Sequence, residues 1–477
     1  MSVMIEKFIE QLKQDILECV YNKEIDNSLT LIKLYAEVAY NFNQFFVDED
    51  IENCLIKLTE YLLEKESFIP NEEIVLFYDG FGLNSRGLIQ IYLKALCKIK
   101  KVVYVTNISA KNNIPDILEI LKQYNGVAVF LKKKSDISNI LYFNKLIYNY
   151  KPMYMFMYTY PQDVICPIVF NNYKGIVKRY QINLTDHAFW IGRNSFDYDI
   201  EFRNWGASLS YYERKIDKDK MVLLPFYPYV NNQQKFLGYP ADFHNKRFIF
   251  SGGSLYKTLG GNNYYYRIVD YILRNHDVIF WYAGSGCRKE MDKLIDKYPG
   301  RIFLTEERVD FFQILQRCEF YLSTYPICGG LMFQYAAKAN KIPVTLKNND
   351  IVSDFLINQD KLGIEFCSFV DIKDEINKLL CNKYYLKMKN KNMNNSLITE
   401  LEFEKQLENL LKIGNTDYKI DLKMYDLKNL KDEYRGQISI NDIYILIAKY
   451  KKLIVFLKYT LSFLKGRYIR TKEKLRL

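Results

Sequence analysis

Apolar residues in the first seventy positions recur with a helical period. Ile5, Phe8, Ile9, Leu12, Ile16 and Val20 share one face, and the stretches Leu29 to Phe46 and Ile51 to Leu63 repeat the pattern after short polar breaks. Residues 1–70 therefore read as a helical N-terminal extension. After Glu73 the period changes: a continuous apolar run (Ile74–Tyr78), an amphipathic helical stretch and a second run (Val102–Thr106) make one βαβ unit. The same alternation returns at 248–251, 278–282 and 301–304, where β-branched and aromatic runs end in Gly, Ser or Thr and lead into helical segments. This predicts two parallel-sheet lobes, 71–245 and 246–414, with the segment from Leu223 to Asn245, stiffened by Pro225 and Pro228, as the linker at the end of the first. Glu400–Ile413 reads as a further helix, and 415–477 as a basic helical tail.

Glycines gather where the strands of the second lobe should end. In an open parallel sheet that edge leaves free backbone N–H groups and helix N-termini facing one crevice. Gly252 and Gly253 end the first strand, and Lys257 stands four residues on, so a backbone able to approach a diphosphate is followed by a cation to lie over it. A second loop, Tyr325-Pro326-Ile327-Cys328-Gly329-Gly330, precedes the helical run LMFQYAAKAN, which leaves the N–H groups of Leu331, Met332 and Phe333 unpaired at a helix start. Either glycine pair alone reads as an ordinary βα turn. Both on one edge, with a lysine, point to a phosphate-bearing ligand. The pattern is neither a P-loop, because no Gly-Lys-Ser/Thr follows, nor a GxGxxG fingerprint, because Gly284-Ser285-Gly286 lacks the third glycine.

The stretch from FSGGSLYK to YPICGGLMFQYAAKANKIPVTL resembles the nucleotide-sugar-binding C-terminal domain of GT-B glycosyltransferases, most of all the O-GlcNAc-transferase-like family and its bacterial relatives. The lysine with which that family holds the donor diphosphate falls on Lys257. The later family motif aligns without gaps, Pro326, Cys328, Gly330, Pro343 and Thr345 agreeing. Its His-Thr-Thr is replaced by Leu331-Met332-Phe333, and its ribose-binding Asp by Ala336. The resemblance implies an α/β fold of two Rossmann-like lobes (GT-B), with the Glu400–Ile413 helix crossing back to the first lobe, and transfer of a sugar from a nucleotide-diphosphate sugar, a UDP-sugar foremost, with inversion, no metal and no cofactor. The expected donor site comprises Gly252, Gly253, Lys257, Gly284, Cys328, Gly329, Gly330, Leu331 and Met332, with backbone N–H groups on the phosphates. Gln334 is added from the residues themselves, as a side chain able to reach the ribose.

In the first lobe, Asp79-Gly80-Phe81-Gly82-Leu83-Asn84-Ser85-Arg86-Gly87 follows the first strand. Gly82 and Asn84 are candidates for the acceptor side of the cleft; the loop also reads as a turn with Asn84 or Ser85 capping the next helix. The stretch 181–216 concentrates Trp190 and Trp205 with His187, Asp186, Arg193 and Arg214, charges alternating with aromatics in a strand-like way. One of only three histidines, His187 is the candidate general base or sugar-orienting group, with Asp186, Trp190 and Arg214 lining the cleft beside it. A hydrogen-bonded loop histidine is the competing reading. GT-B families place a histidine of the N-terminal domain at the sugar site, which LTDHAFWIG matches in placement. Asp197-Tyr198-Asp199 spells DxD, a metal-binding spelling, but in the lobe opposite the phosphates, and is read as chance; the metal set is empty.

Charge adds a location. Nine cysteines without a CxxC pair argue against a disulfide scaffold or a zinc site, and the charged N-terminus lacks the apolar core of a signal peptide. Residues 449–477 carry ten basic side chains against Glu473, and so hold +9 of the net +11. Lys451, Lys458, Lys465 and Lys472 recur every seven residues beside Leu453, Phe456, Leu457 and Leu464, which suits an interfacial helix on an anionic membrane; nucleic acid, which needs only the charge, is the less favoured partner. A cytoplasmic protein peripheral on the inner membrane face follows, with a glycan, lipid-linked or protein acceptor. A CDP-alditol-type phosphotransferase and a non-catalytic nucleotide-sugar-binding scaffold are the alternatives.

Overall fold

The computed structural model describes residues 2–65, 67–84, 87–132, 134–231 and 234–450, so the lysine repeat from Lys451 onward lies outside the described residues. Three helices open the chain: α1 (Ser2–Tyr21), α2 (Ile25–Phe42) and α3 (Glu49–Leu62). The helical period is satisfied by one buried face, Ile5, Leu12 and Ile16 packing with Leu31, Tyr35 and Leu55 in the core of the first lobe. Asp48 starts α3, its carboxylate accepting from the N–H groups of Asp50 (3.0 Å) and Ile51 (3.4 Å).

The first lobe runs β1 (Asn71–Asp79), α4 (Leu88–Ile99), β2 (Lys101–Asn107), α5 (Pro115–Gln123), β3 (Val127–Leu131) and α6 (Asp136–Tyr150). It continues with β4 (Pro152–Tyr158), α7 (Ile165–Asn172), β5 (Lys178–Ile182), β6 (Tyr198–Glu201), α8 (Asn204–Tyr212) and β7 (Met221–Leu223). All pairs are parallel, in the order β3-β2-β1-β4-β5-β6-β7. Val75, Leu76, Phe77 and Tyr78 are buried because helices cover both faces of the sheet, which is why β1 reads as an unbroken apolar run.

The second lobe runs β8 (Phe248–Gly252), α9 (Tyr264–Asn275), β9 (Ile279–Ala283), α10 (Lys289–Lys297), β10 (Ile302–Thr305) and α11 (Phe311–Arg317). It continues with β11 (Tyr321–Leu322), α12 (Gly330–Lys338), β12 (Pro343–Leu346), β13 (Glu365–Phe366), α13 (Phe369–Cys381) and α14 (Lys383–Asn390). Its sheet is parallel in the order β10-β9-β8-β11-β12-β13.

Three segments depart from the simple succession. Residues 204–212 are a helix, α8, not part of a strand-like stretch; Gly206, Ala207, Ser208 and Ser210 make its inner face small enough to lie close on the sheet. The helix α15 (Glu400–Ile413) returns to the first lobe, where Phe403 meets Tyr92 edge-on at 5.0 Å and Leu407 and Leu410 join the core around α4. The last described elements, α16 (Lys428–Gln437) and α17 (Ile440–Lys449), fold back onto α2, with Leu430, Ile443 and Ile447 buried. Among the described residues no helix is long and apolar enough to cross a membrane.

Candidate active site

The loops that end β8, β9 and β11 meet at the carboxyl edge of the second sheet. Gly253, at φ +125°, donates its N–H to Ala283 O (3.0 Å), and its own carbonyl accepts from the Tyr282 hydroxyl (2.9 Å). Gly284 is required here: a Cβ on it would lie 1.9 Å from Gly253 O. Lys257 sits in a short 3₁₀ turn, Leu255–Thr258, that Thr258 closes by donating from Oγ1 to Leu255 O (2.6 Å). The Lys257 carbonyl accepts from Ile327 N–H (3.3 Å), which ties this turn to the loop before α12.

Across that tie, the lysine ammonium faces backbone. A Cβ on Gly329 would stand 3.9 Å from Lys257 Nζ, and α12 starts one residue later, its first intrahelical bond running from Phe333 N–H to Gly329 O (3.0 Å). Phe333 N–H, expected to be unpaired, is therefore taken, because the helix starts at Gly330; the N–H groups of Gly330, Leu331 and Met332 precede that bond, and the positive end of the helix lies beside the lysine. Gly330 has no room for a side chain, because Phe355 ring carbons lie 2.4 Å from where its Cβ would be. Cys328 points inward, its sulfur 3.1 Å from Ser323 Oγ. Burial pushes this thiol up to about 12, while Ser323, Lys257 and Arg203 pull the other way. A cation from each lobe therefore acts on the Cys328 loop.

The facing lobe contributes the loop between β5 and β6. Asp186 is buried, and its Oδ2 accepts from Arg203 Nε at 2.5 Å, while Oδ1 lies 3.4 Å from His187 Nδ1. Burial alone would raise this carboxyl, but Arg203 and His187 hold it down at about 2. It is thus a fixed negative charge behind the imidazole, which is one third exposed. Arg203 also reaches the other lobe, donating from Nη1 to Val352 O (2.7 Å), with Phe355 and Trp205 rings 4.5 Å from its guanidinium carbon. Asp354 accepts from Trp205 N–H (3.0 Å); burial pushes its carboxyl up to about 6 against the pull of Arg203. Sequence reasoning missed Arg203 and Asp354, since neither stands in a motif and the inter-lobe hydrogen-bond partner of each is 149 residues away.

Other expected residues fall elsewhere. Trp190 does not line the cleft: it is buried in the core beside Phe196, with the Arg214 guanidinium 5.3 Å from its ring, because α1 to α3 cover that side of the lobe. Arg214 is buried beneath the His187 loop rather than in contact with the cleft, its Nη2 donating to the carbonyls of Thr185, Asp186 and Ala188 (3.1, 2.9 and 2.7 Å). Gln334 turns away from a ribose: its amide nitrogen donates to Phe226 O and Phe355 O, both at 3.1 Å, joining the linker to the second lobe.

Gly82, at φ +59°, packs on Ala110, and Asn84 N–H donates to Asn113 O (3.0 Å), so both serve to fold their loop. The end of that loop still reaches the cleft, because a Cβ on Gly87 would lie 3.7 Å from Leu331 and 3.2 Å from the Tyr335 hydroxyl. Of the DxD spelling, Asp197 pairs with Arg179 (2.6 Å) and Asp199 is buried in β6, away from the lysine loop. Among the described residues no cluster of three or more His, Cys, Asp or Glu is placed to hold a metal ion.

No family model matches the sequence, and no curated protein matches it either. Solved structures do. A mutant of the O-GlcNAc transferase of Thermobaculum terrenum matches with a TM-score of 0.54 at 10% identity, over 91% of this chain and 82% of that one. HepE of Anabaena, solved in complex with UDP and glucose, matches with a TM-score of 0.52 at 11% identity, over 72% of this chain and 100% of that one. At such identities the likeness is one of fold, and the fold is the two-lobe, GT-B glycosyltransferase-like architecture.

Proposed function

We propose that this chain is a GT-B glycosyltransferase that transfers a sugar from a nucleotide-diphosphate sugar, most simply a UDP-sugar, to a hydroxyl of a glycan, lipid-linked or protein acceptor. The observation that carries this is the convergence, across Gly329, of Lys257 and the start of α12 on the sheet edge that faces the Asp186–His187 loop. As the glycosidic bond to the donor breaks, negative charge grows on the departing diphosphate. The ammonium of Lys257 and the N–H groups of Gly330, Leu331 and Met332 are fixed dipoles and charge aimed at that position, and they stabilise the transition state more than the ground state. Such a site works with backbone donors, and replacement of the family's His-Thr-Thr by Leu331-Met332-Phe333 keeps the N–H groups of Leu331 and Met332 among them.

On the acceptor side, Asp186 beside Nδ1 favours a proton there and leaves Nε2 of His187 to take the acceptor proton or to orient the sugar. The reaction needs no cofactor beyond the nucleotide sugar. The basic residues of 449–477 are assigned, on the sequence alone, to an anionic membrane surface on the cytoplasmic side.

Release of UDP from UDP-sugars, with and without simple acceptors, tests the proposal. The wild type should turn over, and Lys257→Ala should lose on the order of 10²- to 10³-fold in kcat/KM. Binding of UDP with no turnover of any sugar would favour the non-catalytic scaffold, to which the lost polar motif residues also point.

A further inference from the structure

We infer that the N-terminal extension is part of the active site, and that Asn43 is a positioning residue which sets His187 toward the cleft. Asn43 is fully buried at the C-terminal end of α2, in the left-handed conformation (φ 43°, ψ 50°), its own N–H donating to Ala39 O at 2.7 Å. Its carboxamide then does two things at once: Nδ2 donates to His187 O (3.0 Å) and Oδ1 accepts from Phe189 N–H (3.1 Å). With Arg214 taking the carbonyls of Thr185, Asp186 and Ala188, the four consecutive carbonyls from 185 to 188 are all held by buried side chains, one of them from the extension.

The hold is specific to a carboxamide. Asn pairs a donor with an acceptor on a short stem and tolerates left-handed backbone, whereas Asp has the acceptor alone and Ala neither group. The same helix also flanks the imidazole, the Tyr40 ring standing edge-on to it at 6.4 Å. Below, Phe189 packs against Phe45 and Tyr35 at 5.3 and 6.0 Å. His187 is thus gripped through its backbone, and its ring remains the exposed part of the loop's hold. The extension acts through His187 and touches no substrate atom in this account. The inference rests on reading His187 as the group that faces the sugar.

Three histidines make the test direct. In the full chain with isotope-labelled histidine, the ring resonances are assigned with His187→Gln, His244→Gln and His276→Gln, and Asn43→Gly is then compared with wild type. Glycine keeps the left-handed helix end without strain and removes only the carboxamide. The His187 ring resonance should shift and broaden while those of His244 and His276 stay put, which also reports that the fold is intact; Asn43→Asp, keeping the acceptor, should move it less. In turnover, Asn43→Gly should lower kcat on the order of a hundredfold with UDP stabilisation unchanged. An unmoved His187 resonance in Asn43→Gly overturns the inference. If wild type neither binds nor turns over a nucleotide sugar, the functional reading falls, while the histidine spectrum still decides whether Asn43 holds the loop.

Discussion

Asp186 and Asp163 are buried carboxyls and Asp354 a half-buried one, yet they titrate in opposite directions, and the difference gives a pH signature. Asp186 has a guanidinium against it and is held at about 2. Its folded value lies below the unfolded one, so its contribution to stability is present above about pH 4 and is lost as pH falls toward 2. Burial pushes Asp163 up to about 6 although it accepts from the Tyr78 hydroxyl (2.8 Å) and from Ile165 N–H (3.0 Å), and burial likewise brings Asp354 to about 6.

For these two the sign reverses. The folded chain binds more protons than the unfolded one between about pH 4 and 6, so stability falls as pH rises through that window. Urea denaturation at pH 4, 5, 6 and 7 should show the decline, and Asp163→Asn, which stays neutral, should flatten it; an unchanged slope in that variant would contradict the assignment. At this scale the sequence announced which residue types matter and not where they point. Lys257 and His187 stood out because one follows a glycine turn and the other is rare. Trp190 and Gln334 were misplaced because orientation depends on the distant helices and the linker that surround them.

At the scale of elements, the proposed donor edge is a set of loops that glycines allow to touch. The contact between the loops after β8 and β9 is backbone on backbone, with 1.9 Å between Gly253 O and the site of a Cβ on Gly284. Gly284→Ala should therefore push the Gly253 loop off its place and weaken nucleotide binding at least tenfold, with the rest of the fold kept, as read by UDP titration alongside circular dichroism. Full-strength UDP binding in that variant would show that the loop does not form the site.

Part of the strand and helix succession was readable, down to α15 at Glu400–Ile413, since amphipathic helices and buried parallel strands differ in period. Helix α8 escaped because Asn204–Tyr212 mixes small, polar and aromatic residues without a clean apolar stripe, and it is fixed instead by what it packs on. The proposal of the carboxyl edge as the ligand side rests on the rule for parallel sheets.

For the whole molecule, two lobes with crevice-facing loops followed from two runs of alternating strand and helix. The return of α16 and α17 over the helical extension did not. The link from Gln44 Nε2 to Lys431 O (2.7 Å) joins residues 387 positions apart, and no periodicity marks such a contact. The same holds for Asn43 and the His187 loop, which are 144 positions apart and together make the helical extension more than a packed appendage.

The central claim is a nucleotide site built on Lys257 and the start of α12, and ligand-induced thermal stabilisation measures it most directly. UDP, GDP, CDP and their common sugars are to be compared on wild type and Lys257→Ala, with and without chelator. At a hundredfold excess over Kd a ligand adds about 2.7 kcal/mol, visible as a rise of several degrees. UDP should raise the Tm of the wild type by that amount, insensitive to chelator, and leave Lys257→Ala unmoved. A well-folded wild type that no nucleotide stabilises, or a Lys257→Ala variant stabilised as strongly as the wild type, would contradict the account.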